Sequence, residues 1–375
     1  MAGIYIHVPF CAKRCVYCDF YSGTDMSQRD AYVLAICEEL KLRHTYIKGE
    51  PIDTIYFGGG TPSQLSSDEL VQIFSAIEED YDVTNCREIT IEANPDDMTK
   101  EYVESLSRLP FNRVSMGVQS FHHKDLQFLN RRHSRQQALD AVRYCRESGI
   151  ENISLDLIYG LPGQTLDEWE ANLTELIALD VPHVSAYHLI YEEGTLLYCL
   201  KEAGKIPPVD EELSESFFST LIDRLSGAGY EHYEISNFAK PNCYSVHNSS
   251  YWKGANYIGI GPSAHSFNGS SRQWNVASLK DYIIGIEKGR PDVEIECLDD
   301  ATQYNEYIIT RLRTMWGVKL SDIVSLFGQD NADFCLKQSL PYISKGLLLR
   351  SGDKITLSRQ GVFISDSIMS DLLKV

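Results

Sequence analysis

The chain reads as an α/β protein, a (β/α)6 partial TIM barrel followed by an α+β extension and a small winged-helix-like domain. Three observations predict this. Between Gly3 and about Leu189, six short β-branched or apolar runs alternate with stretches of helical period, the pattern of a parallel sheet with right-handed crossovers. Around residues 192–212 the alternation breaks, at Gly194, Gly204, Pro207 and Pro208. From about Ala301 it changes again, to helices followed by a hairpin. The expected domains are therefore 1–190, 191–300 and 301–375.

The six strands are expected at 4–8, 54–57, 89–92, 114–118, 153–157 and 183–187, where Ile, Val, Phe and Tyr concentrate. Helices are expected at 30–46, 67–79, 135–147 and 166–178, several introduced by Ser, Thr or Asp as caps. Polar residues fall at the strand ends. Gly58-Gly59-Gly60-Thr61-Pro62 follows the second run, Glu92 closes the third, Gln119 the fourth, Asp156 comes late in the fifth, and Tyr187-His188 ends the sixth. Barrels of this kind bind ligands at the carboxyl ends of their strands, so these residues should share one mouth. Beyond the break, 213–226 reads as a helix leading into an aromatic section. There His247 lies among Tyr244, Tyr251, Trp252 and Tyr257, with His265 as a second nearby histidine. Helices at 303–316, 320–327 and 333–340, a hairpin turning at Gly352-Asp353 and a last helix at 361–373 complete the chain.

Three of the ten cysteines, Cys11, Cys15 and Cys18, stand within eight positions just after the first strand. Thiolates are soft ligands that suit iron-sulfur clusters or zinc, and a cubane cluster takes four of them. Here Phe20 occupies the place where a fourth might stand, which leaves one iron with an open coordination site. Zinc is the weaker alternative, because no second ligand pair follows; three separate core cysteines are the plainest. The formal net charge of −19 over 375 residues argues against nucleic-acid binding, which needs a cationic face, and against an anionic membrane surface. Lys13-Arg14 and Arg131-Arg132-His133 are the local basic exceptions. The first strand starts at once, without a secretory segment, and no run approaches the roughly 18 apolar residues of a spanning helix. A cytoplasmic location, with thiols kept reduced, is the expectation.

The spacing Cys11-x-x-x-Cys15-x-x-Cys18, with an aromatic at Tyr17, resembles the signature of the radical S-adenosylmethionine (radical SAM) superfamily. The lead-in from Tyr5 to Phe10 resembles the branch that contains the oxygen-independent coproporphyrinogen III dehydrogenases. The resemblance implies the same partial barrel, a [4Fe-4S] cluster on the three cysteines, and SAM chelated at the open iron. It implies that Tyr5, Tyr17, Gly59, Gly60, Thr61, Glu92, Gln119, Arg131 and Asp156 serve the SAM site. The residue types agree: glycines admit close backbone approach, a strand-end carboxylate meets an amino or ribose group, and Arg131 suits a carboxylate.

Within that branch the dehydrogenases carry a further cysteine where Phe20 stands, and an N-terminal arm before the first strand. Both departures are similar to the haem chaperones of the branch, as is the motif His247-Asn248-x-x-Tyr251-Trp252. Imidazole ligates haem iron and aromatic faces pack the macrocycle, which makes His247, Tyr251 and Trp252 the candidate haem residues. The expected function is a haem chaperone holding a [4Fe-4S] cluster, SAM and haem, with haem-accepting proteins, among them respiratory enzymes, as partners. The rivals are a coproporphyrinogen III dehydrogenase and an iron-sulfur protein without SAM chemistry.

Overall fold

A computed structural model describes residues 1–207 and 210–374; Pro208, expected in the linker, lies outside them. Six strands run parallel and adjacent in chain order: β1 (Ala2–Val8), β2 (Ile52–Gly59), β3 (Glu88–Ala93), β4 (Arg113–Gln119), β5 (Asn152–Tyr159) and β6 (His183–His188). Side chains alternate across such strands. One set, including Ile4, Ile6, Phe57, Ile91, Met116, Leu155 and Val184, is buried in the main core with the helices. Each fully buried aliphatic group of this set contributes about 1.5–3 kcal/mol. The other set, including Tyr5, His7, Tyr56, Glu92, Gly117 and Asp156, is left to line the barrel interior.

The intervening helices start where the sequence places their caps. Ser66 with Glu69, Ser134 with Gln137 and Thr165 with Glu168 each form a reciprocal capping box, opening the helices Ser67–Asp80, Arg135–Glu147 and Leu166–Ala178. Two short helices, Lys100–Leu106 and His123–Phe128, escape sequence reading because one or two turns show too little periodicity.

The segment 191–300 joins the same sheet at both edges. Antiparallel to β6 runs β8 (Asn237–Ala239), with β7 (Glu231–Glu234) outside it. On the other side β9 (Tyr257–Ile260) pairs parallel with β1, followed outward by β10 (His265–Phe267), β11 (Ser271–Asn275) and β12 (Val293–Cys297). A buried ion pair holds this edge: Arg43 bonds Glu39 at 2.8 Å and donates to the Gly259 carbonyl and the Ser266 hydroxyl, while Glu39 accepts from the Gly261 amide and the Tyr282 hydroxyl.

Residues beyond 300 build a separate core around Tyr304, Ile308, Val318, Ile323, Cys335, Ile355 and Ile368. Its helices Asp300–Leu312, Leu320–Phe327 and Gln329–Ser344 accompany a three-stranded antiparallel sheet ordered β13-β15-β14, in which β13 (Val318–Lys319) lies between the first two helices in the chain and β14 (Leu348–Ser351) and β15 (Lys354–Leu357) follow the third. This is the winged-helix-like arrangement the sequence predicts. The last helix differs from expectation, being divided into Arg359–Val362 and Ser365–Asp371. No helix among the described residues is long and apolar enough to cross a membrane.

Candidate cluster and cofactor site

The cysteine loop leaves the carboxyl end of β1 and is closed at its base, where the Cys11 amide bonds the Gly23 carbonyl and the Gly23 amide bonds the Pro9 carbonyl. Its far side is tied to the segment after β4. The Val16 amide donates to the Leu129 carbonyl, the Asn130 side chain to the Arg14 carbonyl, and Arg131 to the Cys15 sulfur at 3.3 Å. The second arginine nitrogen bonds the Asn94 side chain and the Gly117 carbonyl. A Cβ on Gly117 would stand 2.7 Å from Gln119 Nε2 and 3.2 Å from Arg131, so the glycine leaves room for both side-chain ends where they now lie. Gln119 itself adopts a positive φ of 66° at a register shift between β4 and β5, a strained conformation of the kind that re-aims side chains at functional sites.

On the neighbouring strand, Gly58 and Gly59 are the last residues of β2 rather than the start of its loop. A Cβ on Gly60 would lie 2.8 Å from the carbonyl oxygens of Val8 and Phe10 and 3.1 Å from Cys11 Sγ. The glycine lets the two chain segments touch, and Thr61 then donates to Cys11 Sγ at 3.4 Å.

These elements enclose a cavity of about 430 Å³ at the strand ends. Cys11, Cys15, Tyr17, Cys18, Gly59, Gly60, Thr61, Glu92, Gln119, Arg131 and Asp156 all line it, so eleven of the predicted residues come together. Asn94, Ser115 and Ile158 line it too; nothing in their local sequence distinguishes them, and only the strand register finds them. All three cysteines are free. Among the described residues no three His, Cys, Asp or Glu side chains close on one point as they would for a single metal ion. The thiols bound a space instead, and as soft donors on three sides of it they suit a multi-iron cluster.

Electrostatics follow burial. Burial, with the neighbouring cysteines, pushes the Cys18 thiol up to about 11, so that binding metal there would release its proton. Burial also raises Glu92 to about 7, against the opposing 2.7 Å bond donated by Tyr56, and raises Asp156 to about 6. Arg131 Nε is buried without a hydrogen-bond partner among the described residues. The two carboxyls and the guanidinium on one cavity wall suit an amino acid bearing both charges, as the methionyl part of SAM does.

The remaining predicted residues lie elsewhere. Tyr5 is absent from this cavity; it bonds His7 Nδ1 and lines a second, larger cavity of about 870 Å³, with Tyr251 and Trp252. His247 lines neither and is 1% exposed. Its Nδ1 bonds the Thr54 hydroxyl and its Nε2 the Tyr251 hydroxyl, both at 2.7 Å, and its ring stacks on Tyr56 at 4.9 Å. Burial keeps the imidazole neutral, holding its pKa at about 3. His247, named from its motif as a candidate haem residue, is thus a packed histidine with both ring nitrogens hydrogen-bonded. Glu88 accepts the amides of Val246 and His247 and draws the short helix Val246–Trp252 against the barrel, and Gly3 leaves room for the ring. The second cavity draws its other walls from Tyr257, His265, Phe267 and Arg272 on the sheet edge and from Tyr307, Arg311 and Phe327 of the C-terminal unit. Asp19 and Phe20 line both cavities, so the end of the cysteine loop is the partition between them.

The Radical SAM superfamily model matches residues 5–176, and the HemN C-terminal domain model matches residues 298–364. The chain is 34% identical to "Heme chaperone HemW" of Bacillus subtilis, covering 100% of this chain and 99% of that one. It is 32% identical to the protein of the same name from Lactococcus lactis, covering 98% and 96%. The Escherichia coli protein of that name is 37% identical over 70% of this chain and 69% of its own. Among solved structures, coproporphyrinogen III oxidase (HemN) of Escherichia coli superposes with a TM-score of 0.86 at 22% identity, covering 100% of this chain and 90% of that one. That likeness is one of fold.

Proposed function

The chain belongs to the HemW family of the radical SAM superfamily, and from that membership we propose that it is a haem chaperone, holding a [4Fe-4S] cluster and SAM in the smaller cavity and carrying haem in the larger. The observation that bears this reading is the pair of adjoining ligand spaces, one thiol-lined and charged, the other aromatic and twice as large, with Asp19 and Phe20 between them.

In this reading Cys11, Cys15 and Cys18 hold the cluster, Thr61 and Arg131 hydrogen-bond two of its sulfur ligands, and Glu92, Gln119, Asp156 and the Arg131 guanidinium orient SAM. When bound, the cluster supplies an electron to SAM. Phe20 stands where the resemblance to the coproporphyrinogen dehydrogenases implies a cysteine. The hydrophobic ring there lines both cavities and adds no donor to the smaller one.

The test is anaerobic. Reconstituted protein is expected to bind about four irons per chain, to change its cluster spectrum on addition of SAM, to bind haem saturably, to deliver it to a haem-free acceptor, and to leave coproporphyrinogen III unconsumed. Decarboxylation of coproporphyrinogen would replace the chaperone reading with the dehydrogenase. An unaltered cluster spectrum on adding SAM would leave an iron-sulfur protein without SAM chemistry.

A further inference from the structure

We infer that the iron of the carried haem is ligated by His265, not by the histidine of the H-N-x-x-Y-W motif; the inference rests on the chaperone reading above and specifies its haem seat. The cavity of about 870 Å³ lies within the range of about 300–1,000 Å³ typical of sites for small organic ligands. Two histidines line it, His7 and His265. His7 is committed: its Nε2 donates to the Tyr21 carbonyl at 2.9 Å and its Nδ1 accepts from the Tyr5 hydroxyl at 3.1 Å, so it has no free lone pair. His265 is exposed, and neither of its ring nitrogens has a hydrogen-bond partner among the described residues. His247, by contrast, has both nitrogens bonded and lies behind Tyr251.

The backbone sets His265 in place. It opens β10, opposite Trp274 on β11, and the two rings stack at 5.7 Å, which fixes the imidazole plane without using its nitrogens. Gly259 on β9 makes the hairpin tight enough to do this, since a Cβ there would lie 2.1 Å from the His265 carbonyl oxygen. Tyr257, Phe267, Tyr307 and Phe327 supply aromatic faces for a macrocycle. Charge fits a ligand with two carboxylates: Lys253, Arg272 and Arg311 line the cavity against Asp19 and Glu306, and Glu306 neutralises Arg272 at 2.9 Å, so that Lys253 and Arg311 remain for the propionates. The motif then has a different part. Tyr251 and Trp252 are wall residues, and His247 positions Tyr251 through the 2.7 Å bond.

The test compares the reconstituted full chain with His265→Ala and His247→Ala, titrating each with haem and with metal-free protoporphyrin IX. His265→Ala is expected to lose the absorption and paramagnetic-resonance signature of a histidine-ligated haem and roughly tenfold or more in haem affinity, to keep porphyrin binding within about twofold, and to regain the signature with added imidazole. His247→Ala, verified as folded by its melting curve, is expected to keep the signature. An unchanged signature in His265→Ala overturns the ligand assignment while leaving the chaperone reading intact. A wild-type chain that binds no haem at all overturns both. If His247→Ala does not fold, the His265→Ala and imidazole arms decide alone.

Discussion

Glu92 shows what burial does to one residue. Its folded pKa stands near 7 against an ordinary 4.5, so the native state keeps a proton that the unfolded chain releases. A raised acid stabilises the fold fully only below the unfolded value. Stability contributed by this group should therefore fall as pH climbs from about 4.5 to about 7 and then level off, by roughly 1–3 kcal/mol. Denaturant melts of the metal-free protein across that window should show the slope, and Glu92→Gln should flatten it. A cationic ligand reverses the balance by favouring the carboxylate. Binding of SAM near pH 6 should release protons, seen as a dependence of the calorimetric heat on the buffer's ionisation enthalpy; no such dependence would mean that SAM does not meet Glu92. At this scale the sequence was informative, because the three thiols share one short loop and the carboxyls Glu92 and Asp156 stand late in apolar strand runs. It singled out His247 but could not place it: Tyr251 is a neighbour within the helix Val246–Trp252, whereas Thr54 becomes one only when that helix is drawn onto β2.

The strand-to-loop junctions are where elements make the site. A methyl group on Gly60, just after β2, would stand 2.8 Å from the carbonyl oxygens of Val8 and Phe10, so it must displace backbone rather than a flexible side chain. Gly60→Ala is expected to cost about 1–3 kcal/mol and to lower the iron incorporated on reconstitution, measured as iron per chain. A full complement of iron in a destabilised variant would separate folding from cluster assembly. The helices were easier to read than the sheet edges. Capping boxes at Ser66, Ser134 and Thr165 are written within four residues of sequence, and three helix starts agree with them. Strands β8 and β10, three residues each, carry no period long enough to detect.

The core beyond residue 300 is joined to the rest of the molecule through contacts that include ion pairs, Arg313 with Glu234, Arg272 with Glu306 and Arg359 with Asp223. Glu234, 2% exposed, accepts two bonds from Arg313 and further bonds from the Ser236 amide and the Asn237 side chain. Glu234→Ala strands that arginine and is expected to cost about 3 kcal/mol. It should also loosen the wall of the larger cavity that the helix Asp300–Leu312 provides, with weaker haem binding at unchanged SAM affinity. Equal loss of both ligands would indicate general unfolding rather than release of the C-terminal unit.

What the sequence determined by itself was local: six strand-helix units, the cluster loop with its three thiols, and the strand-end residues that gather at one mouth, because strand alternation and the carboxyl-end rule convert short patterns directly into position. What only the tertiary structure decided was long-range. The pairing of β9 with β1, 250 or so residues apart along the chain, the larger cavity between that edge and the C-terminal helices, and the choice between a committed His247 and an open His265 depend on contacts that no local pattern encodes. Burial and hydrogen-bond partners belong to the folded arrangement, and they decide which histidine still has a lone pair to offer.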